Sequence, residues 1–131
     1  MGLIIENVTC VGFRERRSLR ALFDSGASMT MIDSKLAEEL GVKHTGRRLS
    51  ITVLDGDQVE AEEAILRKMI IMDEELHYER VLVFDFHPKL KKKLETLDCD
   101  LIIVGVLTVE AAGFILDPSR RELRKVGIIA L

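Results

Sequence analysis

The chain has 131 residues, enough for a single domain (1–131) that buries its own core without disulfide or metal staples. Nineteen basic residues stand against 22 acidic ones, and the resulting formal charge of −3 argues against a dedicated nucleic-acid partner. Met1–Glu6 has no basic leader, no apolar run approaches the roughly 18 residues of a membrane span, and Glu6 breaks a myristoylation pattern, so a soluble, cytoplasmic protein with no membrane partner is expected.

Short apolar or alternating runs at Leu3–Phe13, Ser18–Asp24, Ser28–Ile32, Arg48–Leu54 and Gln58–Met72 read as strands. The second run feeds Leu22-Phe23-Asp24-Ser25-Gly26-Ala27-Ser28, in which an apolar stretch delivers one carboxylate into a turn of small residues. Asp, Ser and Gly are residues that turns select anyway, so a plain turn with Asp24 accepting backbone N–H groups fits the tripeptide. The flanks are unusually apolar, however, with Leu22-Phe23 before and Met29-Thr30-Met31-Ile32 after, and they predict a partly buried carboxylate.

Asp33 or Ser34 can cap a helix over Lys35–Leu40, which Gly41 ends in the left-handed conformation. Asp55-Gly56 between Ile51–Leu54 and Val59–Ala61 is a two-residue hairpin signal, because both turn positions favour positive φ. His87-Pro88 opens another helix through Leu97, with leucines 90, 94 and 97 on one stripe. Thr108 is placed to cap a last helix, Val109–Ala112, stopped by Gly113. A faint repeat links Ala21–Val42 with Leu101–Leu116: apolar strand, tight turn, short helix, glycine. It would set the Asp24 turn back to back with Ile102-Ile103-Val104-Gly105.

Other chemistry is poorly supported. Cys10 and Cys99 form no CxxC and read as reduced, buried hydrophobes. His44, His77 and His87 have no metal-ligand spacing, so no metal or other cofactor is expected. The basic groups around Arg14–Arg20, Lys89–Lys93 and Arg120–Lys125 come with one Tyr and no Trp, and solvated faces are the simpler reading.

The Asp24-Ser25-Gly26 turn, the helix ending Glu39-Leu40-Gly41-Val42, the Leu54-Asp55-Gly56 hairpin and the block from Asp100 to Pro118 follow one another in an order that resembles the retropepsin-like aspartic peptidases. These are single-domain relatives of pepsin that include the retroviral proteases. The resemblance implies a mainly β fold, a closed antiparallel barrel with short helices and one lobe per chain. It also implies a homodimer acting on polypeptide substrates, each subunit giving one Asp24. Adjacent carboxylates cannot both ionise, so such a pair shares a proton and activates water directly.

By the same resemblance Ser25 locks the two loops together, Gly26 offers its amide to the carboxylate, and Ala27 lines the pocket floor. Ser28 completes the loop, and Ile103, Val104 and Gly105 form the loop of the second half. Residues Ile51–Leu66 become a flap with Leu54, Asp55, Gly56 and Asp57 at its tip. Retroviral members often pair an Arg after the Gly with an Asp after the Ala, where this chain has Val106 and Ser28. The apolar ends, Leu3–Ile5 and Val126–Leu131, fit either a shared dimer sheet or edge strands within one subunit. A non-catalytic module that keeps the fold to bind peptide or dimerise is the rival reading.

Overall fold

Residues 3–53 and 56–128 are described by the computed structural model. In chain order they form β1 (Ile4–Val11), β2 (Arg16–Phe23), β3 (Met31–Asp33), α1 (Ser34–Leu40), β4 (Lys43–Thr52), β5 (Gln58–Ile71) and β6 (Glu74–Phe84). These are followed by α2 (Pro88–Thr96), β7 (Ile102–Val104), α3 (Val106–Ala111), β8 (Phe114–Asp117) and β9 (Glu122–Lys125).

The main sheet runs β1-β2-β7-β3-β6-β5-β4, and β1 also pairs with β5, which closes six strands into the expected barrel. Most pairings are antiparallel, but β2–β7 and β3–β6 are parallel, and both lie around the Asp24 turn. β5 is the long member. Its first half pairs with β4 in a hairpin that extends past the barrel, and its second half pairs with β1 to seal it.

Period-2 alternation explains why the central strands read as unbroken apolar runs. Along β2, Leu19, Ala21 and Phe23 join the barrel core while Leu22 faces a second apolar cluster. β7 does the same with Ile102 and Val104 on one side and Ile103 on the other, as does β6 with Val81 and Val83 against Leu82 and Phe84. Both faces are therefore buried at Ala21–Phe23, Ile102–Val104 and Val81–Phe84, with β3 lying between β7 and β6.

Helix ends follow local rules at α1 and α2. Asp33 is the α1 cap, accepting from Lys35 N, and Gly41 closes the helix at φ +77°. His87 Nδ1 accepts from Lys89 N ahead of Pro88 at the start of α2. α3 departs from expectation: it starts at Val106 after Gly105, and Thr108 lies inside it rather than capping it.

Two further differences concern strands. β6 was not anticipated, because its first half, Glu74–Arg80, is largely polar and its entry turn uses Met72 at φ +56° in place of a glycine. β4 begins at Lys43, five residues before the expected Arg48, and its register slips between His44 and Arg48. The hairpin closes at Val53 and Asp57, with Val53 N donating to Asp57 O at 3.0 Å and Gly56 N donating to Val53 O at 2.9 Å. Gly56 takes φ +81° in that closure, the left-handed conformation that glycine adopts without strain. Leu54 and Asp55, named above for the tip, lie outside the described residues, as do Ile129–Leu131 of the C-terminal apolar run.

Candidate active site

Asp24 stands at the C-terminal end of β2, half-buried, between buried Phe23 and exposed Ser25 and Gly26. Its backbone N donates to Val104 O at 3.1 Å, and its own carbonyl accepts from Ala27 N at 3.1 Å. Gly26 N donates to Asp24 Oδ1 at 2.8 Å, a bond that stabilises the ionised carboxylate. A Cβ at position 26 would sit 3.3 Å from that oxygen, which is why the smallest residue suits the place.

The second loop passes directly beneath. β7 pairs parallel to β2 through Leu22↔Ile103 and Phe23↔Val104, and antiparallel to β3 through Met31↔Ile103 and Ile32↔Ile102. Beyond Val104 the chain crosses the Asp24 loop: Val106 N donates to Ala27 O at 2.8 Å and Leu107 N to Ser28 O at 3.0 Å. Gly105 lies at the crossing, and a Cβ there would be 2.5 Å from Met29 C and 2.7 Å from Ser28 O. The structure thus brings Asp24, Gly26, Ala27 and Ser28 together with Val104 and Gly105. Ile103 points instead into the apolar cluster behind them.

That cluster links the loop to the hairpin. Leu22, Leu82, Phe84 and Ile103 are buried in it, with Ala27, Met29 and Met31 of the loop and β3 against them. Leu49, Ile51 and Val59 of the β4–β5 hairpin pack on the same cluster. The outer face of the hairpin is polar, with His44 3.4 Å from Glu62, Arg48 3.5 Å from Glu60, and Ser50 Oγ 2.6 Å from Gln58 Oε1. At its base, buried Glu63 accepts from Thr45 Oγ1 at 3.0 Å and lies 3.4 Å from Arg47 and 3.5 Å from Arg80. Gly56 and Asp57 are exposed at the far end.

Thr30, Thr108 and Glu79 also belong to the site, and nothing local in the sequence marks them. Thr30 Oγ1 accepts from Gly105 N at 3.1 Å and lies 2.8 Å from Thr108 Oγ1, which donates to Glu79 Oε1 at 3.2 Å. Burial pushes the Glu79 carboxyl above its ordinary range, with the Thr108 hydroxyl and the Arg80 guanidinium opposing. These residues stitch the two loops from behind, on the side where Ser28 and Val106 carry no ion pair. Sequence separations of 78 and 29 residues explain why only the fold reveals the network.

A half-buried carboxylate beside an apolar surface is a group that can exchange a proton with a bound partner. Among the described residues no cluster of His, Cys, Asp and Glu is placed to hold a metal ion, and no helix is long and apolar enough to cross a membrane.

Residues 9–109 match the family model described as aspartyl protease. No curated protein matches significantly. Among solved structures, a retropepsin-like aspartic protease from Rickettsia conorii is 20% identical, covering 88% of this chain and 76% of that one, with a TM-score of 0.56. The retroviral protease-like domain of Ddi1 from Leishmania major is 14% identical, covering 95% and 89%, with a TM-score of 0.53. At these identities the likeness is one of fold, and the fold is retropepsin-like.

Proposed function

Because the chain belongs to the aspartyl protease family, we propose that it hydrolyses peptide bonds in polypeptides as a homodimer, each subunit contributing Asp24. The observation that carries this reading is the setting of Asp24: a half-buried carboxylate held by Gly26 N at 2.8 Å. It stands over the crossing of two loops, with an apolar surface and a protruding hairpin beside it. The chain holds one Asp-Ser-Gly turn, so a two-carboxylate site requires a second copy.

Across a two-fold axis the paired carboxyls hold one proton between them. The ionised member takes a proton from water, whose oxygen attacks the scissile carbonyl, while the protonated member gives its proton to the developing oxyanion. Collapse of the tetrahedral diol expels the amine, which leaves with a proton from one carboxyl while a hydroxyl of the diol returns its proton to the other, restoring the singly protonated pair. Neither an acyl-enzyme nor a metal enters this sequence, and the protonation constants belong to the pair. Ser25 is assigned the cross-dimer contact, Gly26 the carboxylate amide, Ala27 the pocket floor and the β4–β5 hairpin the lid that excludes water.

Exposed Val126 and Ile128, 44% and 77% accessible, support a dimer in which the C-terminal ends pair. The N-terminal run is committed within the subunit, since Ile4 and Ile5 pair with Phe23 and Leu22. A cytoplasmic location remains part of the proposal.

Purified protein and its Asp24→Asn variant, incubated with a mixed peptide library from acid to neutral pH, provide the test, with sedimentation reporting the oligomer. Cleavage by the wild type alone, from a dimer, is expected. Cleavage that survives Asp24→Asn overturns the chemistry, and peptide binding without cleavage by a wild-type monomer points to the non-catalytic module.

A further inference from the structure

Proton order in the Thr30–Thr108–Glu79 network is set by a simple count. Thr30 and Thr108 are buried, 0% and 2% accessible, and each hydroxyl has one proton to give. Thr108 gives its proton to Glu79 Oε1, so the 2.8 Å bond between the hydroxyls uses the proton of Thr30. The Thr30 oxygen then takes the Gly105 amide. All donors point one way, from Gly105 towards Glu79, and an ionised Glu79 enforces that direction because it can only accept. A protonated Glu79 can donate to Thr108 instead. Thr108 would then turn its proton to Thr30, whose oxygen would serve two donors and hold the Gly105 amide less well.

Glu79 faces a cavity of about 240 Å³ bounded by β6, α3 and the Asp24 loop. β6 contributes the Arg80 guanidinium, which favours the ionised form, and the Tyr78 phenol. α3 brings Leu107 and Thr108, and the loop brings Met29, all uncharged. On the neighbouring strand β5, Leu66 is the residue paired with Glu79. Only Arg80 therefore brings a formal charge to the carboxylate from these neighbours.

We propose that Glu79 is a positioning residue for the Asp24 loop, acting through Thr108 and Thr30, whose ionisation tightens the clamp of Gly105 on that loop and whose protonation loosens it. Its catalytic consequence rests on the reading of Asp24 as the reacting carboxylate; the clamp itself does not.

The test follows the Gly105 amide by nitrogen-15 NMR from about pH 4 to 8, in full-length Asp24→Asn so that no dyad titrates. A single step in the Gly105 shift is expected, with amide protection about fivefold lower on its acid side. Adding Glu79→Gln, which keeps an acceptor oxygen of the same shape, removes the step. Thr108→Val also removes it and Thr108→Ser restores it, a distinction that overall stability would not produce. In the active enzyme the pH profile of kcat carries the same group, absent in Glu79→Gln, with KM unchanged. A flat Gly105 shift in Asp24→Asn, or a step that persists with Glu79→Gln, overturns the proposal. Loss of peptidase activity in the wild type would strike the proposed function and leave these amide readouts standing.

Discussion

Gly105→Ala isolates the loop crossing, because Gly105 has φ −91° and ψ 166°, a backbone any residue adopts. The entire cost is therefore steric. The new Cβ would lie 2.5 Å from Met29 C, 2.7 Å from Met29 O and 2.7 Å from Ser28 O, all backbone atoms of the Asp24 loop. Relief requires the loops to part by about 1 Å, since carbon contacts settle near 3.5 Å. Overpacking of this kind costs about 1–3 kcal/mol. The parting also stretches Val106 N–Ala27 O and Leu107 N–Ser28 O, now 2.8 and 3.0 Å, bonds worth about 0.5–1.5 kcal/mol each. Lower unfolded-state entropy returns about 0.4–1 kcal/mol, leaving a net loss near 3 kcal/mol. At this chain length that lowers Tm by about 12 °C. If Asp24 is catalytic, a shift of this size also lowers kcat/KM by about 100-fold. The control is Gly46→Ala, at φ +88° with open space around it, which meets only left-handed strain of about 1–2 kcal/mol. Calorimetry of both variants decides the matter: a Gly105→Ala drop smaller than that of Gly46→Ala refutes the crossing as described.

Glu79→Gln becomes stabilising as pH rises. The folded-state carboxyl titrates above its unfolded value, so its stabilising contribution is present below the unfolded pKa and is lost as pH rises through the folded one. Urea titrations at acid and neutral pH should show the variant gaining on wild type only at the higher pH. Asp33→Ala removes the α1 cap and leaves the Phe86 N–H, now 2.9 Å from Asp33 Oδ1, without its partner; the expected loss is about 2–4 kcal/mol by chemical denaturation. Cys10 is fully buried, which pushes its thiol up to about 12, so iodoacetamide at neutral pH should leave it unmodified until the protein unfolds, as mass spectrometry would show.

Local chemistry made much of this molecule readable in advance. Asp33, Gly41 and Pro88 place three helix boundaries because caps and φ restrictions act within a turn. The Asp24 loop stood out because small residues between apolar runs need a reason. What sequence reading missed depends on distant partners. Thr108 looks like an N-cap, yet its hydroxyl is taken by Glu79 and lies beside Thr30, and the helix begins at Val106, behind Gly105 and without a side-chain cap. β6 is half polar because its first part borders solvent and the Glu79 cavity, so it lacks the apolar run that identifies a buried strand. Its place in the barrel follows from pairing with β5 and β3, which no local pattern encodes.

β5 constrains how this chain can change length. Residues Glu62–Ile65 pair with β6, where Glu62, Ala64 and Ile65 also pair with β4, and Lys68–Ile71 pair with both β6 and β1. One inserted residue between these stretches would turn one of them inside out against two partners at once. Between Val53 and Asp57 the same insertion would disturb no ladder pair. Length variation among natural or engineered versions should therefore collect at the hairpin tip, so that the length of the hairpin can be altered while the barrel stays as it is.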